Sequence, residues 1–433
     1  MIPADAHRPV RALSRRSLFA LTGALGLGTV MTACAGPGGT QSRSSAPATG
    51  AAEGKVSFAH WRAEDKAAFD ELIAAFTQTT PGVTVEQDIT PSNDYQSQAL
   101  NRLKGGSVGD VFPTFRGAQF EQFVKAGVYT DLTSSALLAS YEPALLEAGK
   151  SGGKQWGVPY QVVFPMPVAN TDALDKAGVS DLPDDWEGFL SLCDKLKSAG
   201  LVPLAWPGGE VGNAGQLFNS MVMNNQPADD TCAQIEQGKA KVTDDWFLTT
   251  LKQYQQLIPY FQANATGTAV EPTQQLFASG KAAMLATGSY HIAAIRGLGA
   301  KFGVDLVAPI TTTAAKARHK GTYNATFILG VNSASKVPVA STAWLTYLSD
   351  KANAAKYANN TVQHVTVADV EYTDADLKKL APWLTKRTML APRFQFLNLD
   401  IRNAVEGACI SVVGGASPEA AAEQAQQVVN ERI

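Results

Sequence analysis

The stretch from Lys55 to Phe112 decides the fold class: KVSFAHWRAEDKAAFDELIAAFTQTTPGVTVEQDITPSNDYQSQALNRLKGGSVGDVF. Its first run, Lys55–Trp61, is β-rich, and Glu64–Thr79 carries apolar residues at helical spacing. Pro81-Gly82 ends that helix, and strand-like, helical and strand-like segments follow at 83–85, 95–103 and 110–112. This alternation predicts an α/β lobe with a largely parallel sheet.

Polar and aromatic residues stand at the predicted strand ends of this region. In parallel sheets, ligands gather at the carboxyl ends of the strands. The residues expected at such ends are His60, Trp61, Arg62, Asp110 and Phe115. The pattern therefore places a candidate binding site at this edge of the sheet.

Length and composition favour a two-domain globular protein and argue against nucleic-acid binding. The chain has 433 residues, of which 45% are hydrophobic and 17% charged, and this length favours two domains over one. The net charge of −3 gives no basic excess for nucleic acid. Aromatic residues, including seven Trp, make up 8% of the chain, which is ample for lining a pocket.

The N-terminus predicts export. A basic segment ends in Ser14-Arg15-Arg16-Ser17-Leu18-Phe19, and an apolar, Gly-rich run continues to Met31. This run is too short to be a comfortable membrane span. The segment is typical of a twin-arginine signal. The alternative is an ordinary secretory signal with two arginines.

Cys34 is the predicted point of attachment to the membrane. Met31-Thr32-Ala33-Cys34 resembles a lipobox, in which cleavage before the Cys is followed by its lipidation. Residues 1–33 are then a signal peptide, and 34–54 a lipidated Cys followed by a flexible tether without large apolar residues. The expected location is the outer face of the cytoplasmic membrane.

Three further cysteines follow Cys34: Cys193, Cys232 and Cys409. An odd count allows at most one internal pair. If a disulfide exists, Cys193–Cys232 is favoured because both residues fall in one predicted lobe. Three buried free thiols are the alternative.

A series of motifs carries a family resemblance through most of the chain. Besides VSFAHW, they are GGKQWGVPYQ (152–161), DLPDDWEGFLSLCDKLKSAGLVPLA (181–205), FASGKAAMLATGSYHIAAI (277–295) and SPEAAAEQAQQVVNERI (417–433). Each motif alone is weak. In this order, behind a lipoprotein signal, they resemble the family 1 extracellular solute-binding proteins, the maltose-binding-protein-like group that serves ABC sugar importers.

The resemblance implies a two-lobed periplasmic-binding-protein fold of class II type. Its α/β lobes are discontinuous, and a hinge joins them with the ligand cleft between. Crossings are expected near Gln161–Phe164 and Thr326–Gly330. Lobe I is then 55–162 and 328–360, and lobe II is 163–327 and 361–433. Ligand binding would close the hinge, and permease subunits would recognise the closed form.

A sugar site needs aromatic faces for the ring and polar groups for its hydroxyls. The resemblance implies that Tyr290, after AMLATGS, stacks on the sugar and that Asp110 binds hydroxyls. The remaining candidates are Trp61, Arg62, Glu64, Tyr160, Trp206, Tyr323, Asn324 and Arg393. For each, core packing or capping is the alternative role.

Other residues are predicted to be structural or to limit the choice of ligand. Trp156 and Trp186 belong to motifs that pack lobes. Maltose-type relatives have a Trp near the position of Asn398, and its absence speaks against maltose. The histidines show no metal-binding spacing, and no cofactor is expected.

Three alternatives remain open at this stage. A glycan hydrolase needs two opposed carboxylates, and the pairs Asp184-Asp185 and Asp244-Asp245 are available but are better interpreted as helix caps. A glycerophosphodiester would use Arg62, Arg116 or Arg393. Within this second alternative of a different ligand, an amino sugar is the other choice. The third alternative is a structural surface protein or sensor subunit without a permease. The main expectation is a monomeric carbohydrate-binding protein without enzymatic activity.

Overall fold

The strands of the chain form two main sheets and one short hairpin. In the computed structural model, which describes residues 50–106 and 108–433, the strands are β1 (Gly54–His60), β2 (Val83–Ile89), β3 (Val111–Thr114), β4 (Lys150–Ser151), β5 (Lys154–Gln155), β6 (Val158–Val163), β7 (Val168–Asn170), β8 (Val202–Ala205), β9 (Ala282–Leu285), β10 (Val304–Leu306), β11 (Gly321–Val331), β12 (His364–Val365) and β13 (Thr388–Leu390). The predicted signal peptide, Cys34 and most of the tether lie outside the described residues.

Helices cover both sheets. They are α1 (Lys66–Thr79), α2 (Ser92–Lys104), α3 (Ala118–Lys125), α4 (Pro143–Leu146), α5 (Thr171–Lys176), α6 (Trp186–Ser198), α7 (Val211–Val222), α8 (Thr231–Glu236), α9 (Asp245–Leu257), α10 (Val270–Ala278), α11 (Ile292–Gly297), α12 (Pro338–Leu348), α13 (Lys351–Thr361), α14 (Ala375–Leu380), α15 (Leu399–Val413) and α16 (Pro418–Arg432). Within the described part of the chain, no helix combines the length and apolarity that crossing a membrane requires.

The first sheet is mixed, with the order β12-β6-β11-β3-β1-β2 and with β13 beside the start of β11. Strand β1 runs parallel to β2 and β3, as the alternation of strands and helices predicted. Strand β11 is antiparallel to β3 and β6. The expectation of a largely parallel sheet is therefore right for only half of the strand pairings. The pairings of β6 with β11 and of β11 with β3 are antiparallel, because no strand–helix–strand crossover connects these strands.

The second sheet has the order β10-β7-β9-β8. Strand β8 is parallel to β9, whereas β7 is antiparallel to both β9 and β10. The two sheets belong to the two lobes of the fold, and each has its own core. Tyr160, Trp344 and Tyr357 lie in the first core, and Trp206 and Tyr254 in the second.

The chain passes between the sheets after β6. The apolar run 162–169 reads as one strand in the sequence, but the structure divides it between β6 and β7. Pro165 and Pro167 explain the division, because neither can donate a backbone N–H to a sheet. The chain returns from β10 to β11, and Thr326–Gly330 lie inside β11. The lobe boundaries stay a prediction.

Local sequence signals account for individual helices. Phe69, Leu72 and Phe76, which share one face of α1, are all buried. Asp185 caps α6 as expected, because its Oδ1 accepts from the Gly188 N–H at 2.7 Å.

The three described cysteines are free thiols, so the structure has the unpaired alternative and not a Cys193–Cys232 bridge. All three are buried in the second core, on α6, α8 and α15. Burial raises the pKa of each thiol far above its ordinary value, which makes them unreactive.

Candidate ligand-binding cleft

A cleft of about 490 Å³ is lined by residues from both lobes. From the first lobe come residues that follow β1 and β3, and from the second come residues after β9 and on α7, α10 and α15. The polar and aromatic residues in its wall include Trp61, Glu64, Phe115, Gln161, Gln216, Glu271, Gln274, Tyr290, His291, Asn324, Thr326, Arg393 and Arg402. The volume suits a small-molecule ligand.

The floor of the cleft is the paired β6 and β11. Asn324 lies opposite Val163, and Thr326 lies opposite Gln161. Residues two apart on a strand share a face, so these four side chains line the cleft together. The floor therefore offers an amide and a hydroxyl from one strand and an amide from its neighbour.

An aromatic wall stands beside this floor. Trp61, directly after β1, stacks on Phe115, directly after β3, with ring centroids 3.9 Å apart. Phe327 packs edge-on against Trp61, and its backbone has a φ of 53°, in the left-handed region that bulky residues rarely adopt. Strain of this kind concentrates at functional sites, and here it lies directly below the aromatic wall.

Arg62 is held inside the first lobe by two neighbouring carboxylates. Its Nε and Nη2 donate to both carboxylate oxygens of Asp65 at 2.7 and 2.9 Å, and its Nη1 lies 3.2 Å from Glu64 Oε1. Asp65 is fully buried and also accepts from the Tyr357 hydroxyl. Gln161 donates in turn to that hydroxyl, which links the ion pair to the floor of the cleft.

Tyr290 joins the two lobes across the cleft. It lies in the 3₁₀ turn Ser289–His291 that follows β9. Its carbonyl accepts from Arg62 Nη1 at 3.3 Å and from Gln363 Nε2 at 3.5 Å. Burial raises the pKa of its phenol, although the positive charges of Arg393 and Arg62 oppose the shift.

The second-lobe wall contains an ion pair and an unpaired cation. Arg393, in the 3₁₀ turn Pro392–Gln395, donates to both oxygens of Glu406 on α15, at 2.6 and 2.9 Å, and to the Gly212 carbonyl. Arg402 lies one turn before Glu406 on the same helix and is 5% exposed. Burial and the neighbouring Arg393 lower the pKa of Arg402 to about 10, and Glu406 partly offsets this.

Five buried polar atoms in the cleft wall lack hydrogen-bond partners among the described residues. They are Gln216 Oε1, Tyr290 Oη, Asn324 Oδ1, Thr326 Oγ1 and Arg402 Nε. Buried polar groups in proteins are normally paired, and each orphan is unfavourable by about 1–3 kcal/mol. Their concentration in one cleft indicates a site that a polar ligand completes.

The structure brings half of the predicted site residues together. Those that line the cleft are Trp61, Glu64, Tyr290, Asn324 and Arg393. Arg62 supports the site from behind, through its contacts with Glu64 and Tyr290. Tyr323 pairs with Leu390 of β13 and is not in the cleft wall.

Three predicted ligand contacts lie elsewhere. Asp110 precedes β3, at its amino end, and accepts from the Ser57 N–H at 2.8 Å and the Ser335 hydroxyl at 2.6 Å. Tyr160 and Trp206 are fully buried. Each donates to a backbone carbonyl, Tyr160 to that of Leu348 and Trp206 to that of Ala214. In this structure the three residues are therefore engaged in internal contacts and lie outside the cleft wall.

The sequence reasoning missed Gln161, Gln216, Thr326 and Arg402 as lining residues. Gln161 and Thr326 stand in strands that were assigned only as crossings. Arg402 had a recognisable signal: it is a charged residue between Ile401 and Val405 on the buried face of α15. Charged residues are almost never fully buried without a partner, so a charged residue at this position predicts a functional role.

The described residues hold no candidate metal site, and the carboxylate pairs singled out in the sequence lie outside the cleft wall. No group of three or more His, Cys, Asp or Glu side chains within 50–106 and 108–433 could hold a metal ion. Neither Asp184-Asp185 nor Asp244-Asp245 lines the cleft. His291 does line it, but burial lowers its pKa to about 3, so the imidazole is neutral at physiological pH.

Comparison with known proteins places the chain in a family. Residues 60–355 match the family described as bacterial extracellular solute-binding protein. The match covers more than half of the chain, and the chain therefore belongs to this family, the solute-binding proteins of ABC transporters. The family and the structural neighbours are binding proteins.

Individual relatives are distant in sequence but close in fold. A putative ABC transporter periplasmic-binding protein of Escherichia coli K12, YcjN, is 24% identical over 259 residues, which is 57% of each chain and so less than two thirds of that relative. The solute receptor AcbH, whose structure is titled for an exclusive preference for β-D-galactopyranose, superposes with a TM-score of 0.77 at 20% identity, over 87% of this chain and 98% of AcbH. The raffinose complex of RafE gives 0.76 at 17% identity, over 87% and 99%.

Proposed function

We propose that this chain captures a carbohydrate outside the cell and delivers it to the permease of an ABC importer. One observation carries the proposal: the five unpartnered polar atoms lie in one cleft that also has an aromatic wall. A ligand with many hydroxyls and a partly apolar ring matches that combination. The names of the structural neighbours, which include a galactopyranose receptor and a raffinose complex, agree with it.

Sugar hydroxyls fit the donors and acceptors available in the cleft. Asn324 Oδ1 and Gln216 Oε1 can only accept, and Arg402 Nε can only donate. The hydroxyls of Tyr290 and Thr326 can do either. A hydroxyl group both donates and accepts, so a polyol can satisfy all five positions. The Trp61–Phe115 wall would cover the C–H face of the ring.

Closure of the two lobes would bury the ligand. Arg62 belongs to the first lobe and the carbonyl it contacts, that of Tyr290, to the second. The contact is 3.3 Å long and would break when the lobes separate. A ligand that bridges Glu64 and Trp61 on one side and Tyr290 and Arg402 on the other would shift the population toward the closed form.

The phosphodiester alternative loses two of its three arginines. Arg62 and Arg393 each give one guanidinium edge, Nε and Nη2, to a carboxylate. The Nη1 atom of each donates to a backbone carbonyl. Arg116 is absent from the cleft wall. We therefore retain carbohydrate as the ligand class.

Membrane attachment is proposed from the sequence. Cleavage before Cys34 and lipidation of that residue would hold the protein at the outer face of the cytoplasmic membrane, with residues 35–54 as the tether. The test compares full-length protein with Cys34→Ser in cells fed labelled palmitate. Label in the first and not in the second supports the anchor, and equal labelling excludes Cys34 as its site.

Ligand screening tests the main proposal. The full-length chain in mild detergent is unfolded thermally, with Trp fluorescence as the signal, against neutral and acidic mono-, di- and trisaccharides, polyols, amino sugars and glycerophosphodiesters. A ligand at a hundredfold excess over its Kd stabilises the folded state by about 2.7 kcal/mol. A rise with one carbohydrate class supports the proposal. A rise with glycerophosphodiesters alone, or with no compound, overturns it.

A further inference from the structure

A neutral sugar could accept a hydrogen bond from Arg402 but would leave its positive charge uncompensated. The residue is 5% exposed, and its Nε has no hydrogen-bond partner among the described residues. No ion pair joins Arg402 to a carboxylate there, although Glu406 stands one turn away. Glu406 is directed toward Arg393 instead, and both of its oxygens accept from that residue.

The local charge is therefore unbalanced. Arg393, Arg402 and Glu406 form one buried cluster with two cations and one carboxylate, which leaves one positive charge. An uncompensated buried charge is costly. Arg393 contributes to the lowered pKa of Arg402, which reports the same repulsion.

The position of Arg402 on its helix adds to this positive potential. Helix α15 begins at Leu399, so Arg402 ends its first turn. The N-terminal end of a helix carries a partial positive charge and favours anions over cations. An arginine here is unfavourable unless an anion lies beside it. No carboxylate of the described residues forms an ion pair with Arg402.

Arg402 is also accessible to more than one part of a ligand. A second cavity of about 530 Å³ adjoins the cleft, and Arg402, Gln96 and Phe115 belong to the walls of both. The guanidinium thus stands at the junction of two cavities, where a group attached to a sugar ring could reach it.

We propose that the ligand is an acidic sugar whose carboxylate pairs with Arg402, which rests on the proposed carbohydrate function of the cleft. A planar carboxylate matches the fork of a guanidinium. A single carboxylate also neutralises the single excess charge. A phosphate monoester carries about −1.5 to −2 charges, so Glu64 and Glu271, which also line the cleft, would repel it more strongly than a singly charged carboxylate. The carboxylate is therefore favoured over the phosphate.

The test measures affinities for matched acid and neutral sugars by calorimetry with the full-length chain. The probes are D-galacturonate and D-glucuronate with their di- and trisaccharides, the corresponding neutral sugars, the uronate methyl esters and D-glucose 6-phosphate. We expect an acid to bind at least tenfold more tightly than its neutral and esterified counterparts. Arg402→Gln should weaken acid binding on the order of 100-fold, since a buried charged partner is lost, and neutral sugars by a few-fold.

Two variants separate binding from folding. Arg402→Lys keeps the charge but loses the fork, so the acid should bind with intermediate affinity. Arg318→Gln removes an exposed guanidinium of the second lobe that pairs with Asp229, and ligand binding should not change. Without ligand, Arg402→Gln should unfold at the same temperature as the parent or higher, because it removes an unpaired buried charge.

The outcomes distinguish the inference from the function on which it rests. Neutral sugars that bind as tightly as acids, or an Arg402→Gln variant that weakens both equally, overturn the acidic ligand and leave the carbohydrate function intact. Tighter binding of D-glucose 6-phosphate than of the uronates replaces the carboxylate. If no sugar of either series binds, both proposals fall.

Discussion

At the scale of single residues, two tyrosines with the same sequence-based prediction have opposite environments. The hydroxyl of Tyr290 is buried in the cleft wall without a partner, whereas that of Tyr160 donates to the Leu348 carbonyl at 2.9 Å. Sequence context could not separate them, because both stand next to strand-like segments in family motifs. The difference is a matter of tertiary packing, which places a backbone carbonyl beside the Tyr160 hydroxyl and no described hydrogen-bond partner beside that of Tyr290.

This contrast predicts opposite effects of the same substitution. Tyr290→Phe removes an unpaired hydroxyl, so the free energy of unfolding without ligand should stay constant or rise, while affinity for the carbohydrate falls about tenfold. Tyr160→Phe removes a satisfied hydrogen bond, so stability should fall by about 1 kcal/mol with affinity unchanged. Denaturant unfolding and calorimetry measure the two quantities. Equal effects on affinity in both variants would contradict the assignment.

At the scale of elements, the contact between α7 and α15 depends on a residue without a side chain. A Cβ on Gly215 of α7 would lie 2.3 Å from the carboxyl carbon of Glu406. Glycine is unfavourable inside a helix by roughly 0.5–1 kcal/mol relative to alanine, so its presence here needs a reason. The reason is the approach of Glu406, which must reach Arg393 across the helix surface.

Gly215→Ala should therefore destabilise the protein by about 3 kcal/mol, because it separates a buried ion pair whose loss outweighs the gain in helix propensity. The matched control is Gly407→Ala on α15, where an added Cβ meets no atom within 4 Å. That variant should be more stable than the parent by roughly 0.5–1 kcal/mol. Chemical denaturation measures both, and a stabilised Gly215→Ala would show that the ion pair tolerates displacement.

At the scale of the whole molecule, buried histidines make stability depend on pH. Burial lowers the pKa of His60 and of His364 from 6.5 to about 4, and the two residues are 0% and 2% exposed. The unfolded chain binds protons at these positions near pH 6.5, and the folded chain does so only near pH 4. Folding is therefore favoured above pH 6.5 and progressively less favoured as the pH falls toward 4.

The free energy of unfolding should decrease between pH 6.5 and 4 with a slope that approaches about 1.4 kcal/mol per pH unit for each histidine. Urea unfolding at several pH values measures the slope. His60→Gln and His364→Gln should each reduce it by that amount, whatever their effect on stability at pH 7. An unchanged slope in both variants would mean that other groups dominate the dependence.

The sequence by itself determined what local chemistry decides. The alternation of strands and helices in 55–112, the apolar face of α1 and the cap at Asp185 were all readable because each depends on neighbours within a few residues. The ordered motifs gave the family and the two-lobed fold. Trp61, Glu64, Tyr290 and Asn324 were predicted as ligand contacts because they stand at the ends of elements or within strands that such folds place near the cleft, and all four line it.

Only the tertiary structure decided which polar groups remain without partners. Arg62 and Arg393 look alike in sequence to Arg402, yet Asp65 and Glu406 bind the Nε and Nη2 atoms of the first two and leave the Nε of the third without a partner. Glu406 lies 13 residues from Arg393 in the chain, and its choice of that partner over Arg402 depends on how α7 and α15 pack. Packing between elements that are distant in the chain decides which arginine a carboxylate binds, and a local sequence pattern does not contain that information.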